Sequence, residues 1–166
     1  MSRHGKALPV ELEPCLRQLI VRLRRLKERS GLSLHRLASH TGYSPKSWER
    51  YLAGRSLPPP EAVAALARLG GGDPVGLLAL HEVAARGGGA EAVPAALRAL
   101  RDRTGLSLAG LAARTTFSKS SWQRYLGGRA LPPRAAVEQL CALAGEPAGR
   151  CLALREVVAA QGYGEG

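Results

Sequence analysis

Two short polar stretches carry side chains able to read the edges of bases. Residues 44–50 run Ser-Pro-Lys-Ser-Trp-Glu-Arg, and residues 118–124 run Ser-Lys-Ser-Ser-Trp-Gln-Arg. Lys46 can donate to guanine O6 and N7, Gln123 can pair bidentately with adenine, and Glu49 can accept from cytosine N4 or repel phosphate. Arg50 and Arg124 hold the same place in both stretches and suit a shared phosphate or guanine contact. In a helix, steps of roughly 100° per residue gather Trp48, Tyr51 and Leu52 on one face. Lys46, Glu49, Arg50 and Ala53 then fall opposite, with Ser47 on the border. The second stretch turns Trp122, Tyr125 and Leu126 inward and Ser120, Gln123, Arg124 and Gly127 outward. A polar outer face with one tiny residue suits close approach to a groove wall. By the same phase Trp48, Trp122, Tyr51 and Tyr125 are core residues rather than platforms for stacking single-stranded bases.

The two stretches belong to one unit written twice. A shift of 74 residues aligns 23–88 with 97–162 without a gap, and 34 of the 66 aligned positions are identical. Two similar domains are therefore expected, 12–88 and 90–163, joined near Gly87, Gly88 and Gly89.

Each copy reads as five helices, an all-α fold. Leu16, Leu19, Leu23 and Leu26 form the stripe of an amphipathic first helix that stops at Ser30-Gly31. Its counterpart is shorter, opening near Pro94 and ending at Thr104-Gly105. Ser33 and Ser107 are N-caps for a short second helix, because a hydroxyl can accept from an amide that otherwise lacks a partner. Ser44 and Ser118 cap the third helix, and Pro45 fits its first turn. Gly54 and Gly128 end it. Leu-Pro-Pro (57–59 and 131–133) leads to a fourth helix with Val63, Leu66 and Leu69 apolar. A fifth follows Gly71, carrying Leu77, Leu78, Leu80 and Val83. Two short helices joined by a glycine-containing turn outline a helix-turn-helix.

The whole chain of 166 residues carries a net charge of +11, from 24 Lys and Arg against 13 Asp and Glu. Such an excess points to a polyanionic partner. Residues 1–88 hold +7 of it and residues 89–166 hold +4, so it is not a basic tail. Arg22, Arg24, Arg25, Lys27 and Arg29 form a basic run on the first helix, read as a solvated face or a DNA-backbone contact. With so few strand-favouring residues, a β-sandwich or barrel is not expected. There is no signal-peptide core and no apolar run of about 18 residues, so a cytoplasmic, nucleoid-associated protein without membrane contact is expected. Cys15, Cys141 and Cys151 make no Cys-x-x-Cys pair, and His4, His35, His40 and His81 make no metal-ligand spacing, so no metal or cofactor is expected. Glu82 and Glu156 pair with Arg86 and Arg155 on helix surfaces. No nucleophile elbow, phosphate loop or dinucleotide fingerprint supports an enzyme.

Residues 34–59, Leu-x-x-Leu-Ala-x-x-Thr-Gly-Tyr-Ser-x-x-Ser-Trp-x-Arg-Tyr-Leu-x-Gly-Arg-x-Leu-Pro-Pro, resemble the Xre-type, phage-repressor-like helix-turn-helix family. They look closest to its Leu-Pro-Pro-containing actinobacterial members. Both copies match. The resemblance implies a five-helix domain that binds duplex DNA through the major groove, commonly in transcriptional regulation. It places base- and phosphate-reading side chains at Ser44, Lys46, Ser47, Glu49 and Arg50, and at Lys119, Ser120, Ser121, Gln123 and Arg124. Arg55 and Arg129 just after the helix suit phosphates, and Ser33 and Ser107 complete the DNA-facing set. Two departures stand out. Leu52 and Leu126 replace a Glu common in the family, which removes a polar link. Thr116 replaces the turn glycine Gly42, and a β-branched residue at positive φ costs on the order of 1 kcal/mol, so that turn is expected to be reshaped.

The expected function is a sequence-specific duplex-DNA-binding transcriptional regulator with two unlike recognition helices, a monomer acting as a pseudo-dimer. The alternative is an interaction module that keeps the fold and binds a protein of the transcription machinery instead.

Overall fold

The computed structural model describes residues 7–9 and 12–162. Ten helices form among them, and the chain divides between Gly87 and Gly88 into two units. Unit one holds α1 (Pro14–Ser30), α2 (Leu34–Thr41), α3 (Pro45–Leu52), α4 (Pro60–Gly70) and α5 (Pro74–Ala85). Unit two repeats them as α6 (Ala92–Thr104), α7 (Leu108–Arg114), α8 (Lys119–Leu126), α9 (Arg134–Ala144) and α10 (Gly149–Ala159). His4 and Tyr163 lie outside the described residues.

In unit one α1, α4 and α5 pack against one another and carry α2 and α3 on one side. The first helix buries Leu19, Ile20, Leu23 and Leu26 as its period requires, while Leu16 is half-buried. These meet Val63 and Leu66 of α4 and Leu80 and Val83 of α5 in an apolar core, the main source of stability in so small a unit. Unit two buries Leu97, Leu100, Val137, Leu140, Leu154 and Val158 at corresponding or neighbouring places. Its first helix opens at Ala92, two residues before Pro94. Proline tolerates the first helical turn because its missing amide hydrogen has no partner there.

The close approach of α1 to α4 depends on Gly70. A Cβ there would lie 2.6 Å from the Leu26 carbonyl oxygen, so no larger residue fits without parting the two helices. Unit two has Ala144 at this place.

His81 is buried, and its Nε2 lies 2.8 Å from the Pro58 carbonyl, so that nitrogen must carry the hydrogen. Arg155, at the matching place, donates from Nε to the Pro132 carbonyl at 2.7 Å. Both side chains tie the last helix of their unit to the Leu-Pro-Pro connection. The ion pair Arg86–Glu82 forms at i, i+4 on a helix surface, as that spacing predicts, and the adjacent Arg155 and Glu156 are also paired. Cys15, Cys141 and Cys151 are buried and unbridged, which fits packing. No helix of the described residues is long and apolar enough to cross a membrane.

Candidate nucleic-acid interface

The serine caps set the entry of each short helix. Ser33 Oγ accepts from the Arg36 amide, and Ser107 Oγ accepts from that of Gly110. Ser44 Oγ accepts from the Ser47 amide at 3.0 Å and donates to Ser47 Oγ at 2.9 Å; Ser118 and Ser121 repeat the pair. Such caps satisfy amides that the first helical turn leaves without partners, each contributing about 1 kcal/mol.

One face of α3 is locked down. Trp48 and Leu52 are fully buried and Tyr51 nearly so, and Trp122, Tyr125 and Leu126 match them in α8. Tyr43, Trp48 and Tyr51 meet edge to face with centroids 5.7–6.3 Å apart, and Phe117, Trp122 and Tyr125 repeat the cluster. A hydroxyl then fixes the two short helices together. Trp48 Nε1 donates to Thr41 Oγ1 at 2.9 Å, and that hydroxyl donates to the Leu37 carbonyl at 2.7 Å. Trp122, Thr115 and Leu111 form the same chain in unit two.

The end of the same helix is held by a group that side-chain matching overlooks. Arg24 of α1 donates from Nε to the Leu52 carbonyl at 2.7 Å, and Arg98 of α6 donates to the Leu126 carbonyl at 2.8 Å. Each arginine thereby ties the first helix of its unit to the main chain at the end of α3 or α8. A guanidinium at a helix C-terminus also meets the negative end of its dipole. Partial burial pushes the Arg24 guanidinium below its ordinary value, by desolvation of its charged form.

The turn is where the two units part. In unit one Gly42 adopts φ +80° and returns its amide to the Ala38 carbonyl at 2.9 Å. Unit two has no such glycine, and its helix stops one residue sooner, with Thr115 extended at φ −129° and ψ 173°. Gln139 of α9 then clamps the turn. Its Oε1 accepts from the Thr116 amide and its Nε2 donates to Thr116 Oγ1, both at 2.9 Å. The reshaping expected of Thr116 takes place, and it avoids positive φ altogether. Gln139 was not among the sequence candidates; the exchange of Ala65 for an amide at the matching place was its signal.

The opposite face of α3 and α8 is open. Lys46, Glu49, Arg50 and Arg55 are exposed, as are Lys119, Ser120, Gln123, Arg124 and Arg129; Ser47 and Ser121 are half-buried. The capping serines Ser33, Ser44 and Ser107 are exposed beside them. Among the described residues, none of the six cations in this set forms an ion pair, whereas Arg98–Glu91, Arg103–Glu146 and Arg134–Glu156 are paired elsewhere. Neither α3 nor α8 has an acid in its first turn, where each carries a lysine instead. A cation there opposes the helix dipole unless an anion joins it. Among the described residues there is no group of His, Cys, Asp and Glu able to hold a metal ion.

Two short helices joined by a tight turn, the second buried on one side and carrying unpaired donors on the other, have the arrangement of a helix-turn-helix. The family described as "Helix-turn-helix domain" matches residues 18–80 and again 95–153. The chain belongs to this family, twice over, and is a helix-turn-helix DNA-binding protein. Neither the comparison with curated proteins nor that with solved structures finds a match.

Proposed function

We propose that the protein is a sequence-specific transcriptional regulator of the Xre type, built from two domains spanning 12–88 and 90–163. In this reading α3 and α8 enter the major groove of duplex DNA as two unlike recognition helices. The observation that carries it is the pair of exposed polar faces on helices whose opposite faces are immobilised in the core. Rigid placement of donors is what base readout needs, and unpaired cations at the rim are what phosphate contact needs. Arg50 and Arg124 supply the shared contact, with Arg55 and Arg129 on flanking phosphates. Ser33, Ser44 and Ser107 act mainly through their helix caps, leaving Ser47, Ser120 and Ser121 to line the groove wall. Lys46 and Glu49 against Ser120 and Gln123 make the two half-sites different, so one chain reads an asymmetric site as a pseudo-dimer. Half-sites about one helical turn apart, roughly 34 Å, suit two domains on one DNA face.

Selection from a random duplex pool tests this. Wild type is expected to enrich two dissimilar half-sites, and the Arg50→Ala/Arg124→Ala double variant to lose enrichment. That variant should also flatten the salt dependence of binding, by about one log–log unit for each phosphate it no longer neutralises. Enrichment of a perfect palindrome would overturn the two-helix reading. Absence of any enriched sequence, with salt-insensitive binding to a transcription protein, would favour the interaction module.

A further inference from the structure

The basic run on α1 does not form one face. Arg24 turns to the end of α3, whereas Arg22, Arg25 and Arg29 sit at i, i+3 and i+7 on another side of the helix. Arg25, Arg29 and Arg22 lie about 100°, 140° and 160° round α1 from Arg24, so the stripe occupies a different side of the helix from the one that meets the end of α3. The three arginines wall an open cleft of about 260 Å³ between α1 and α5, closed beneath by Leu26 and Leu77 and facing Asp73. Arg29 also donates to the Gly71 carbonyl at 3.4 Å. Among the described residues no carboxylate pairs with Arg22, Arg25 or Arg29, and the Asp73 oxygens are occupied by the amides of Val75 and Gly76.

Apolar side chains accompany the charge. Val21 and Val75 are the exposed large hydrophobic residues among those described, 36% and 45% open, and they belong to the two helices that form this cleft. The second unit supplies an internal comparison, because it has the same cleft between α6 and α10. There Ala95, Ala96, Ala99 and Gly149 stand where unit one has Val21, Arg22, Arg25 and Val75, and Arg103 is neutralised by Glu146. The second cleft thus lacks arginines at the places of Arg22 and Arg25 and valines at those of Val21 and Val75; its cations are Arg103, paired with Glu146, and Arg150 at the place of Gly76.

We propose that the α1–α5 face of the first unit docks an acidic, partly apolar segment of another protein. Three guanidiniums strung over about 10 Å of helix suit a row of carboxylates better than a single phosphate. Arginine beside aliphatic side chains is also the composition of a protein interface more than of a DNA-backbone contact. Duplex DNA held by α3 would not reach this stripe, which lies on another side of α1 from Arg24 and its bond to the end of α3. The site goes beyond DNA reading and does not rest on it.

The test is a displayed random-peptide library selected on the full chain without DNA. It is run beside the variant Val21→Ala/Arg22→Ala/Arg25→Ala/Val75→Gly, which installs residues that the second unit already folds with. Selected peptides should be rich in Asp and Glu with interspersed large apolar residues. They should bind the variant at least about tenfold more weakly, the effect of removing two interfacial arginines with their apolar neighbours. Amide shifts on binding should map to α1 and α5. Peptides without acidic enrichment, or equal binding to the variant, would overturn the proposal. So would a random-sequence duplex that competes for the same amides and itself weakens with the variant, which would assign the stripe to DNA.

Discussion

Gln139→Ala isolates the device that lets the second unit do without a turn glycine. The substitution removes both bonds to Thr116, each 2.9 Å long. Bonds of this kind contribute about 0.5–1.5 kcal/mol net, and exposure of Thr116 to water keeps the loss toward the lower end, about 1–2 kcal/mol for the two. Amide exchange over α7 and α8 in the full chain should then accelerate roughly 5–30-fold, if those amides exchange through opening of the unit. The informative comparison is a double-mutant cycle with Thr116→Gly. Glycine at that place can adopt positive φ and return its amide to the preceding helix, as Gly42 does beside Ala65. In that background Gln139→Ala should cost less than about 0.5 kcal/mol, the size of ordinary non-additivity between independent sites. An equal cost in both backgrounds, or none in either, would show that Gln139 does not substitute for the glycine.

Gly70→Ala should destabilise the first unit by about 1–3 kcal/mol, although the second unit carries alanine there, because the new Cβ has no room beside the Leu26 main chain. Denaturant unfolding followed at the α1 and α4 amides would measure it; a neutral effect would contradict the close approach. A second expectation concerns Cys141, whose thiol is pushed up to about 12 by burial and by Cys151 beside it. Its pKa is raised on folding, so its contribution to stability is complete below the ordinary thiol value of 9.0 and is lost as pH rises from there toward about 12. Unfolding at pH 8 and pH 10 should show the second unit weakening, and Cys141→Ser should reduce the difference.

Much of this structure was legible because the informative residues obey helical periods or act within one turn. The inward Trp48-Tyr51-Leu52 face follows from its spacing alone, and Ser33 and Ser44 signal their caps by position. What escaped joins residues far apart in sequence or uses the main chain. Arg24 reaches a carbonyl 28 residues on, and a carbonyl leaves no mark in residue identity. Gln139 lies 23 residues from the threonine it holds. The basic run of α1 looked uniform in sequence because adjacency conceals helical phase. Only its geometry separates Arg24, which braces α3, from the stripe formed by Arg22, Arg25 and Arg29.

Duplication also makes the proposed readout separable from the charge that accompanies it. Between the copies the inward residues of the third helix are identical, while Lys46 and Glu49 face Ser120 and Gln123. Changing Lys46→Ser and Glu49→Gln removes one positive and one negative charge, so the net charge and the number of phosphate-facing arginines stay fixed. Non-specific affinity and its salt slope should change little, since both depend on phosphate neutralisation. The preferred sequence should change, because each base contact carries about 1–3 kcal/mol of discrimination. Selection with this variant should therefore give two similar half-sites, with adenine favoured where Gln reaches in both. If the selected sequence is unchanged, α3 does not read bases and the first unit contributes only to the backbone. If instead affinity collapses with sequence preference intact, Lys46 is a phosphate contact and the difference between the two faces lies in strength rather than in reading.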